Sequence, residues 1–129
     1  MTRKHVCIVW FIIGICLSVF AQTPGITPLW VRSGTSEFVF GLDFSPDGRM
    51  LVTASGDRSL KVFEAETGNV VMAFPGFERQ MTDAVFNSDG SRILTSTWDN
   101  RVVLWEVANG KRLLEFNENA PFSKIALSP

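Results

Sequence analysis

Four aspartates in matched spacing are the residues of this sequence whose type and position could do chemistry. Asp47 and Asp89 lie 42 positions apart, and so do Asp57 and Asp99. Carboxylates in pairs can act as general acid and base, or can bind calcium. A calcium loop needs several oxygen ligands that end in a bidentate acid, whereas "SPDGR" and "NSDGS" share only an Asp-Gly pair. The sequence therefore predicts turns here, with no catalytic, metal-binding or cofactor-binding residue.

The N-terminal residues 1–21 have the layout of a secretory signal peptide. Arg3 and Lys4 form a basic start, residues 6–20 carry no charge, and Val19 and Ala21 suit cleavage before Gln22. The uncharged run is short for a membrane-spanning helix. We expect export to the periplasm or the extracellular space, with no membrane contact after cleavage. The alternative is a membrane anchor formed by an uncleaved N-terminal segment.

The only histidine and both cysteines, His5, Cys7 and Cys16, lie in this leader. Its removal would leave no imidazole or thiol for nucleophilic or metal chemistry. Residues 22–129 keep 10 basic side chains, after the loss of Arg3 and Lys4 from 12, against 13 acidic ones. The basic residues are scattered singly, so we expect no nucleic-acid partner.

The rest of the chain contains an internal repeat of 42 residues. Residues 44–74 align with residues 86–116 without a gap, and eight of the 31 positions are identical. Each unit contains four runs of β-forming residues, separated by Asp-, Asn- and Gly-containing turns. The runs are "VFGLDF", "RMLVTAS", "LKVFE" and "VVMAF", then "MTDAVF", "SRILTST", "VVLWE" and "RLLEF".

The inner runs predict sheets that are covered on both faces. "LVTAS" and "VVLW" are apolar or small at nearly every residue, whereas a sheet with one wet face would alternate. We therefore expect stacked four-stranded antiparallel sheets, with no helix of three turns or more in residues 30–129. The residues expected to be buried between sheets are Phe44, Leu51, Val62, Phe63, Phe86, Ile93, Leu104 and Trp105.

This ordered set of strands and turns resembles the WD-repeat β-propeller family. Val39, Leu42 and Phe44 match its V-x-x-V-x-F strand, and Leu104-Trp105-Glu106 matches its Trp-Asp ending. The resemblance implies an all-β fold whose antiparallel four-stranded sheets are the blades of a partial propeller. It divides residues 22–129 into repeats at about 34–75 and 76–116 and the start of a third at 117–129. A sister propeller family that lacks the histidine is the main competitor.

The chain departs from the family at its Gly-His pairs. The matching positions hold Gly34-Thr35, Gly76-Phe77 and Asn117-Glu118. In the family this histidine joins a buried hydrogen-bond chain with a turn Asp, a strand Ser or Thr, and the Trp. The resemblance therefore assigns structural turn and blade roles to Asp57, Asp99, Thr53, Thr95, Phe63 and Trp105.

Trp98 is an unusual residue for a polar turn. It precedes Asp99, at a position where the first unit has Gly56. Aromatic and Arg side chains dominate interface hot spots. The residues predicted to contact a partner protein are Trp98, Arg58, Asn100 and Arg101.

The sequence predicts a non-catalytic, exported protein-interaction scaffold, or a fragment of one. Propellers need several blades to close, so two units with uncovered outer faces predict self-association that completes a ring. Two alternatives stay open. The chain could be the N-terminal part of an exported propeller enzyme or cofactor-binding propeller, or a truncated product without function.

Overall fold

The computed structural model describes residues 38–74, 77–117 and 124–128. This part of the chain forms eight strands and no helix. The predicted leader (residues 1–21) and the first Gly-His position at Gly34-Thr35 lie outside it. The strands are β1 (Val39–Phe44), β2 (Met50–Ser55), β3 (Leu60–Glu64), β4 (Val70–Phe74), β5 (Met81–Phe86), β6 (Arg92–Thr97), β7 (Arg101–Glu106) and β8 (Arg112–Asn117).

The strands form two antiparallel sheets of four, each a simple meander in chain order. Sheet 1 has the order β1-β2-β3-β4 and sheet 2 the order β5-β6-β7-β8. The 42-residue repeat extends to the irregularities: the register shifts between Val39 and Gly41 in β1, and between Met81 and Asp83 in β5. The predicted all-β fold with four-stranded antiparallel blades is confirmed.

The Asp-Gly pairs close the first turn of each sheet. Asp47 Oδ1 accepts hydrogen bonds from the Ser45 hydroxyl at 2.6 Å and the Arg49 amide at 3.0 Å. These bonds hold the pKa of Asp47 below its ordinary value. The following Gly48 has a φ of 71°, a left-handed conformation that glycine adopts without a steric penalty. Asp89 repeats the arrangement in sheet 2, where its Oδ1 accepts from the Ser91 amide at 2.7 Å.

The core lies between the two sheets, with β5 packed against β1 and β2. Apolar residues of sheet 1 face apolar residues of sheet 2, as the continuous apolar runs predicted. Burial of this kind stabilises the pair by roughly 25 cal/mol per Å² of apolar surface. The buried residues of this core are Val52, Ala54, Leu60, Val62 and Phe74 from sheet 1, and Met81, Ala84, Phe86, Ile93, Val103 and Trp105 from sheet 2.

Gly41 allows the two innermost strands to approach closely. A Cβ added at Gly41 would lie 2.7 Å from both the backbone nitrogen of Ala84 and the Cα of Asp83. Both atoms belong to the backbone, so a side-chain rotation could not relieve the clash. The position therefore requires glycine because a neighbouring strand passes over it.

The outer faces of the pair are more exposed than the repeat alone predicted. Phe44, Phe63 and Leu104 were expected to be fully buried, but each is half-buried. Phe44 and Phe63 lie on the face of sheet 1 that points away from sheet 2, and Leu104 lies on the opposite outer face. Among the described residues no third sheet covers either face, although Leu51 and Ser55 on this side of sheet 1 are fully buried, so that face is open only in part.

Candidate functional site

Trp105 of β7 is held in the core by one hydrogen bond and two aromatic rings. Its Nε1 donates to Thr95 Oγ1 on the paired strand β6 at 3.0 Å, and Thr95 Oγ1 in turn donates to the carbonyl of Val103 at 3.2 Å. The indole ring centroid lies 5.3 Å from that of Phe74 and 5.4 Å from that of Phe77. Thr95 and Trp105, which the resemblance placed together, are therefore in direct contact.

Phe77 stands where the family has its histidine, and the sequence analysis gave it no role. Its ring packs on the Trp105 indole at an interplanar angle of 56°. Such tilted pairs contribute roughly 0.5–1.5 kcal/mol beyond area burial. In this chain the contact between the Phe77 and Trp105 rings therefore takes the place of the hydrogen bonds that the histidine makes in the family. The signal was present in the sequence, because an aromatic residue at the histidine position can still reach the tryptophan.

Asp99 belongs to a separate group in the β6–β7 turn. Its carboxylate accepts from the Thr97 hydroxyl and lies 3.2 Å from Arg101 Nε. Arg101 also lies 3.4 Å from Glu115. The chain that the resemblance implied through Thr95, Asp99 and Trp105 is thus divided in two. Without a histidine between them, the turn carboxylate pairs with a neighbouring cation.

The matching turn of sheet 1 is also organised by its aspartate. Asp57 Oδ1 accepts from the Ser59 amide at 3.0 Å and from the Ser59 hydroxyl, while the Asp57 amide donates to Ser55 Oγ at 3.3 Å. Partial burial acts to raise the pKa of Asp57, but hydrogen bonds from Ser59 and Ser55 outweigh it, so the pKa lies below its ordinary value of 3.8. Thr53 is buried nearby in β2, and Phe63 takes the place of the tryptophan.

Two aspartates that the sequence analysis passed over link neighbouring units. Asp43 Oδ2 accepts from the amide of Phe86 at 2.8 Å, which connects β1 to β5. Asp83, 4% exposed and two residues earlier in β5 than Asp43 is in β1, makes a similar link by accepting from the amide of Ile125 at 3.3 Å. Lys124 Nζ lies 3.5 Å from the same carboxylate. A carboxylate within an apolar strand was the signal that could have revealed them.

Trp98 lies at one end of the stacked sheets and borders an open groove. Its side chain is 62% exposed. The groove has a volume of about 390 Å³ and is hereafter the Trp98 groove. Its lining residues come from the β2–β3 turn, the β4–β5 connection and the β6–β7 turn, and they are Gly56, Arg58, Glu78, Arg79, Gln80 and Trp98.

Of the four residues predicted to contact a partner, Arg58 and Trp98 border this groove. Among the described residues that line it, Asn100 and Arg101 do not occur. Arg101 is directed toward Asp99 and Glu115. Asn100 has a φ of 64° and forms the tight part of the turn, a conformation that asparagine tolerates well.

Residues 38–74, 77–117 and 124–128 contain no group of three His, Cys, Asp or Glu side chains that could hold a metal ion. No helix capable of crossing a bilayer occurs in the same ranges. The geometry offers a surface groove between two sheets, with an aromatic side chain and cations at its border. That arrangement can bind another molecule.

Comparison with known proteins agrees with this geometry. The family model described as "WD domain, G-beta repeat" matches residues 26–64 and 68–106, more than half of the chain. This chain belongs to the WD-repeat family. The matched segment 68–106 contains β4 to β7 and therefore combines the last strand of sheet 1 with the first three strands of sheet 2.

Several curated relatives carry the same repeats. The chain is similar to Serine-threonine kinase receptor-associated protein of Dictyostelium discoideum, with 33% identity over 70% of this chain and 32% of the relative. It is similar to Intraflagellar transport protein 122 homolog of Xenopus tropicalis, with 24% identity over 79% of this chain and 9% of the relative. Target of rapamycin complex subunit LST8 of Saccharomyces cerevisiae is 26% identical over 68% of this chain and 29% of the relative. The match thus spans a third or less of the length of each of these relatives.

Proposed function

We propose that this chain is a non-catalytic scaffold that binds a partner protein through the Trp98 groove. The observation that supports this proposal most strongly is that Trp98 is 62% exposed at the junction of two stacked sheets. Exposing a large aromatic ring to water costs free energy that a partner can recover, and aromatic residues in such positions anchor interfaces. Membership of the WD-repeat family, and a relative named as a complex subunit, support a binding role.

Site-specific photo-cross-linking in the natural host tests this proposal. A photo-cross-linking amino acid in place of Glu78, an exposed residue that lines the groove and leaves Trp98 in place, is expected to trap a partner protein. The matched control places the same amino acid at Glu66, which is exposed in the β3–β4 turn at the other end of sheet 1. Cross-links at both positions alike, or at neither, would contradict a partner site at the groove.

The proposal includes export. It is supported by the basic start, the uncharged residues 6–20 and the small residues before Gln22. N-terminal sequencing of the protein isolated from fractions of its host is expected to begin at Gln22 in an exported fraction. A cytoplasmic protein that still begins at Met1 would overturn this part of the proposal.

We also propose that a second copy covers the outer face of sheet 1. Phe44 and Phe63 are half-buried on this face and flank the fully buried Leu51, in a row that repeats the row Phe86, Ile93 and Trp105. The latter row is buried against Val52 and its neighbours in sheet 1. The outer face of sheet 2 repeats the Val52 side of that contact, so a second copy can approach the open part of sheet 1, at Phe44 and Phe63, head to tail.

A further inference from the structure

The backbone around the Trp98 groove is fixed by hydrogen bonds between loops. The amide of Trp98 donates to the carbonyl of Gln80 at 3.0 Å, and the amide of Gly56 donates to the carbonyl of Phe38 at 2.8 Å. Both bonds tie a sheet-end turn to the segment that precedes an innermost strand. The backbone around the groove is therefore held in place before a ligand binds, so binding would cost little conformational entropy there.

The two turns that border the groove have equivalent positions but opposite side chains. Trp98 in sheet 2 corresponds to Gly56 in sheet 1, 42 residues earlier. Gly56 contributes no side chain, which leaves open space beside the exposed indole. An apolar side chain of a bound segment can occupy this space against the indole ring.

The groove carries cations without internal partners. Arg58 and Arg79 are exposed, and neither forms an ion pair within the described ranges. Of the nearby turn acids, Asp99 pairs with Arg101, whereas Asp57 accepts hydrogen bonds from Ser59 and keeps its negative charge. The described residues that line the groove include two guanidinium groups and one carboxylate, that of Glu78, so the lining itself carries an excess of one positive charge.

Arg58 occupies a backbone conformation that its side chain does not favour. Its φ is 66°, whereas the equivalent turn position in sheet 2 is Asn100 with a φ of 64°. Asparagine visits this left-handed region more readily than arginine. Arg58 therefore has local backbone strain at the position from which its guanidinium group borders the groove.

We propose that the occupant of the Trp98 groove is an extended, acidic segment of a partner protein. Its Asp or Glu carboxylates would pair with the guanidinium groups of Arg58 and Arg79, and an apolar side chain would pack on Trp98. Guanidinium groups bind carboxylates through two parallel hydrogen bonds, which gives both strength and direction. This inference rests on the proposed function and names the chemistry of its partner.

Fluorescence anisotropy with synthetic peptides on the full chain tests the proposal. The probes are three peptides of about ten residues, which span roughly 33 Å when extended. In them leucine alternates with glutamate, glutamine or lysine. The glutamate peptide is expected to bind about tenfold more tightly than the glutamine peptide, the difference of a charge-assisted contact. Its affinity should fall as salt is raised. Equal affinity for the glutamate and glutamine peptides would overturn the proposal, and this comparison needs only the unmodified chain.

Matched variants locate the binding on the groove. Arg58→Asn introduces the residue that sheet 2 has at this turn position, and combined with Arg79→Gln it should reduce glutamate-peptide binding to the level of the glutamine peptide. Trp98→Gly copies Gly56 and should weaken all three peptides. The control Arg49→Gln removes an exposed charge at the opposite end of sheet 1 and should change the affinity by less than about twofold. An equal loss in the control would place the binding elsewhere and overturn the proposal.

The outcome is separable from that of the proposed function. Cross-linking of a partner through position 78, together with equal binding of glutamate and glutamine peptides, would reject an acidic partner and leave the scaffold role standing. Absence of a specific cross-link at position 78 would reject the scaffold role itself.

Discussion

At the scale of single residues, Trp105 depends on one polar contact inside an apolar core. Its indole N–H has Thr95 Oγ1 as acceptor at 3.0 Å, while Phe74 and Phe77 cover its ring. A phenylalanine cannot bridge to a turn carboxylate as a histidine can, so Asp99 pairs with Arg101 instead. The hydrogen-bond chain of the family is here replaced by aromatic packing and a local ion pair.

The Thr95→Val substitution should destabilise the fold. Valine has nearly the same shape but leaves the buried Trp105 N–H without an acceptor, which costs about 1–3 kcal/mol. Urea-induced unfolding followed by tryptophan fluorescence measures the loss. Thr67→Val serves as the control, because the Thr67 hydroxyl donates to Glu64 in an exposed turn. A loss no greater for Thr95→Val than for Thr67→Val would contradict the importance of the buried bond.

Asp57 should make stability depend on pH in the acid range. Despite partial burial, hydrogen bonds from Ser59 and Ser55 hold the pKa of folded Asp57 below the ordinary 3.8. A depressed folded-state pKa adds stability above the unfolded pKa, and this stability is lost as the pH falls through the folded pKa. The difference in melting temperature between the unmodified chain and Asp57→Asn should therefore be largest near neutral pH and shrink below about pH 4. A difference that stays constant on acidification would be the contrary result.

At the scale of elements, strand positions were accessible from the sequence because turn chemistry marks their ends. β1 and β5 were predicted with the bounds that the structure has, while β7 begins one residue earlier, at Arg101, and β8 ends one residue later, at Asn117. The local sequence does not show which face of each strand packs against another sheet. Phe63 and Trp105 occupy equivalent positions, yet Phe63 is half-buried and Trp105 buried.

The candidate site was predictable only in part, for a related reason. Trp98 and Arg58 stood out by residue type in their turns, and both border the groove. Glu78, Arg79 and Gln80 were missed because they belong to the connection between β4 and β5, which comes near the two turns only when the sheets stack. Asp43 and Asp83 were missed because their partners lie 43 and 42 residues away.

Gly41→Ala should disrupt the contact between the sheets. The new Cβ would lie 2.7 Å from backbone atoms of β5, and overpacking of this kind costs about 1–3 kcal/mol. Thermal melting followed by circular dichroism is the measurement. Leu42→Ala, a change at the next residue, whose side chain is 39% exposed, is expected to cost less. If Gly41→Ala melts at the temperature of the unmodified chain, the close approach of β1 and β5 is not as described.

At the scale of the whole molecule, the pair of sheets leaves apolar side chains in water on both sides. Phe38, Phe40 and Leu42 are 48%, 42% and 39% exposed, and at the other side Leu114 and Phe116 are 52% and 51% exposed. Exposed apolar side chains that lie side by side, as Phe38 and Phe40 do with ring centroids 6.4 Å apart, mark an association site. Repeat arrays gain much of their stability from the interfaces between units, and the described residues form a single interface between two sheets.

The chain should therefore self-associate, and Leu42→Lys should prevent it. A lysine on the outer face of sheet 1 would have to lose its hydration to enter a contact between copies, which is costly without a partner charge. Sedimentation velocity over a range of concentrations should show larger species for the unmodified chain and mainly monomer for Leu42→Lys. Val71→Lys, at a residue of the outermost strand β4 that is 55% exposed, should still associate. An unmodified chain that stays monomeric and melts cooperatively would show that the two sheets suffice.

The segments matched by the family model do not have the same boundaries as the sheets, and this affects how such a gene can lengthen. The matched segment 68–106 carries β4, which completes sheet 1, together with β5, β6 and β7, which begin sheet 2. A tandem duplication of this segment by unequal recombination would give every sheet but the last a fourth strand encoded in the following copy. Each added copy is thereby hydrogen-bonded to the sheet before it from the moment it arises. Deletion of one copy would likewise rejoin the flanking strands in the same order. The array can therefore change its number of sheets while each sheet keeps four antiparallel strands.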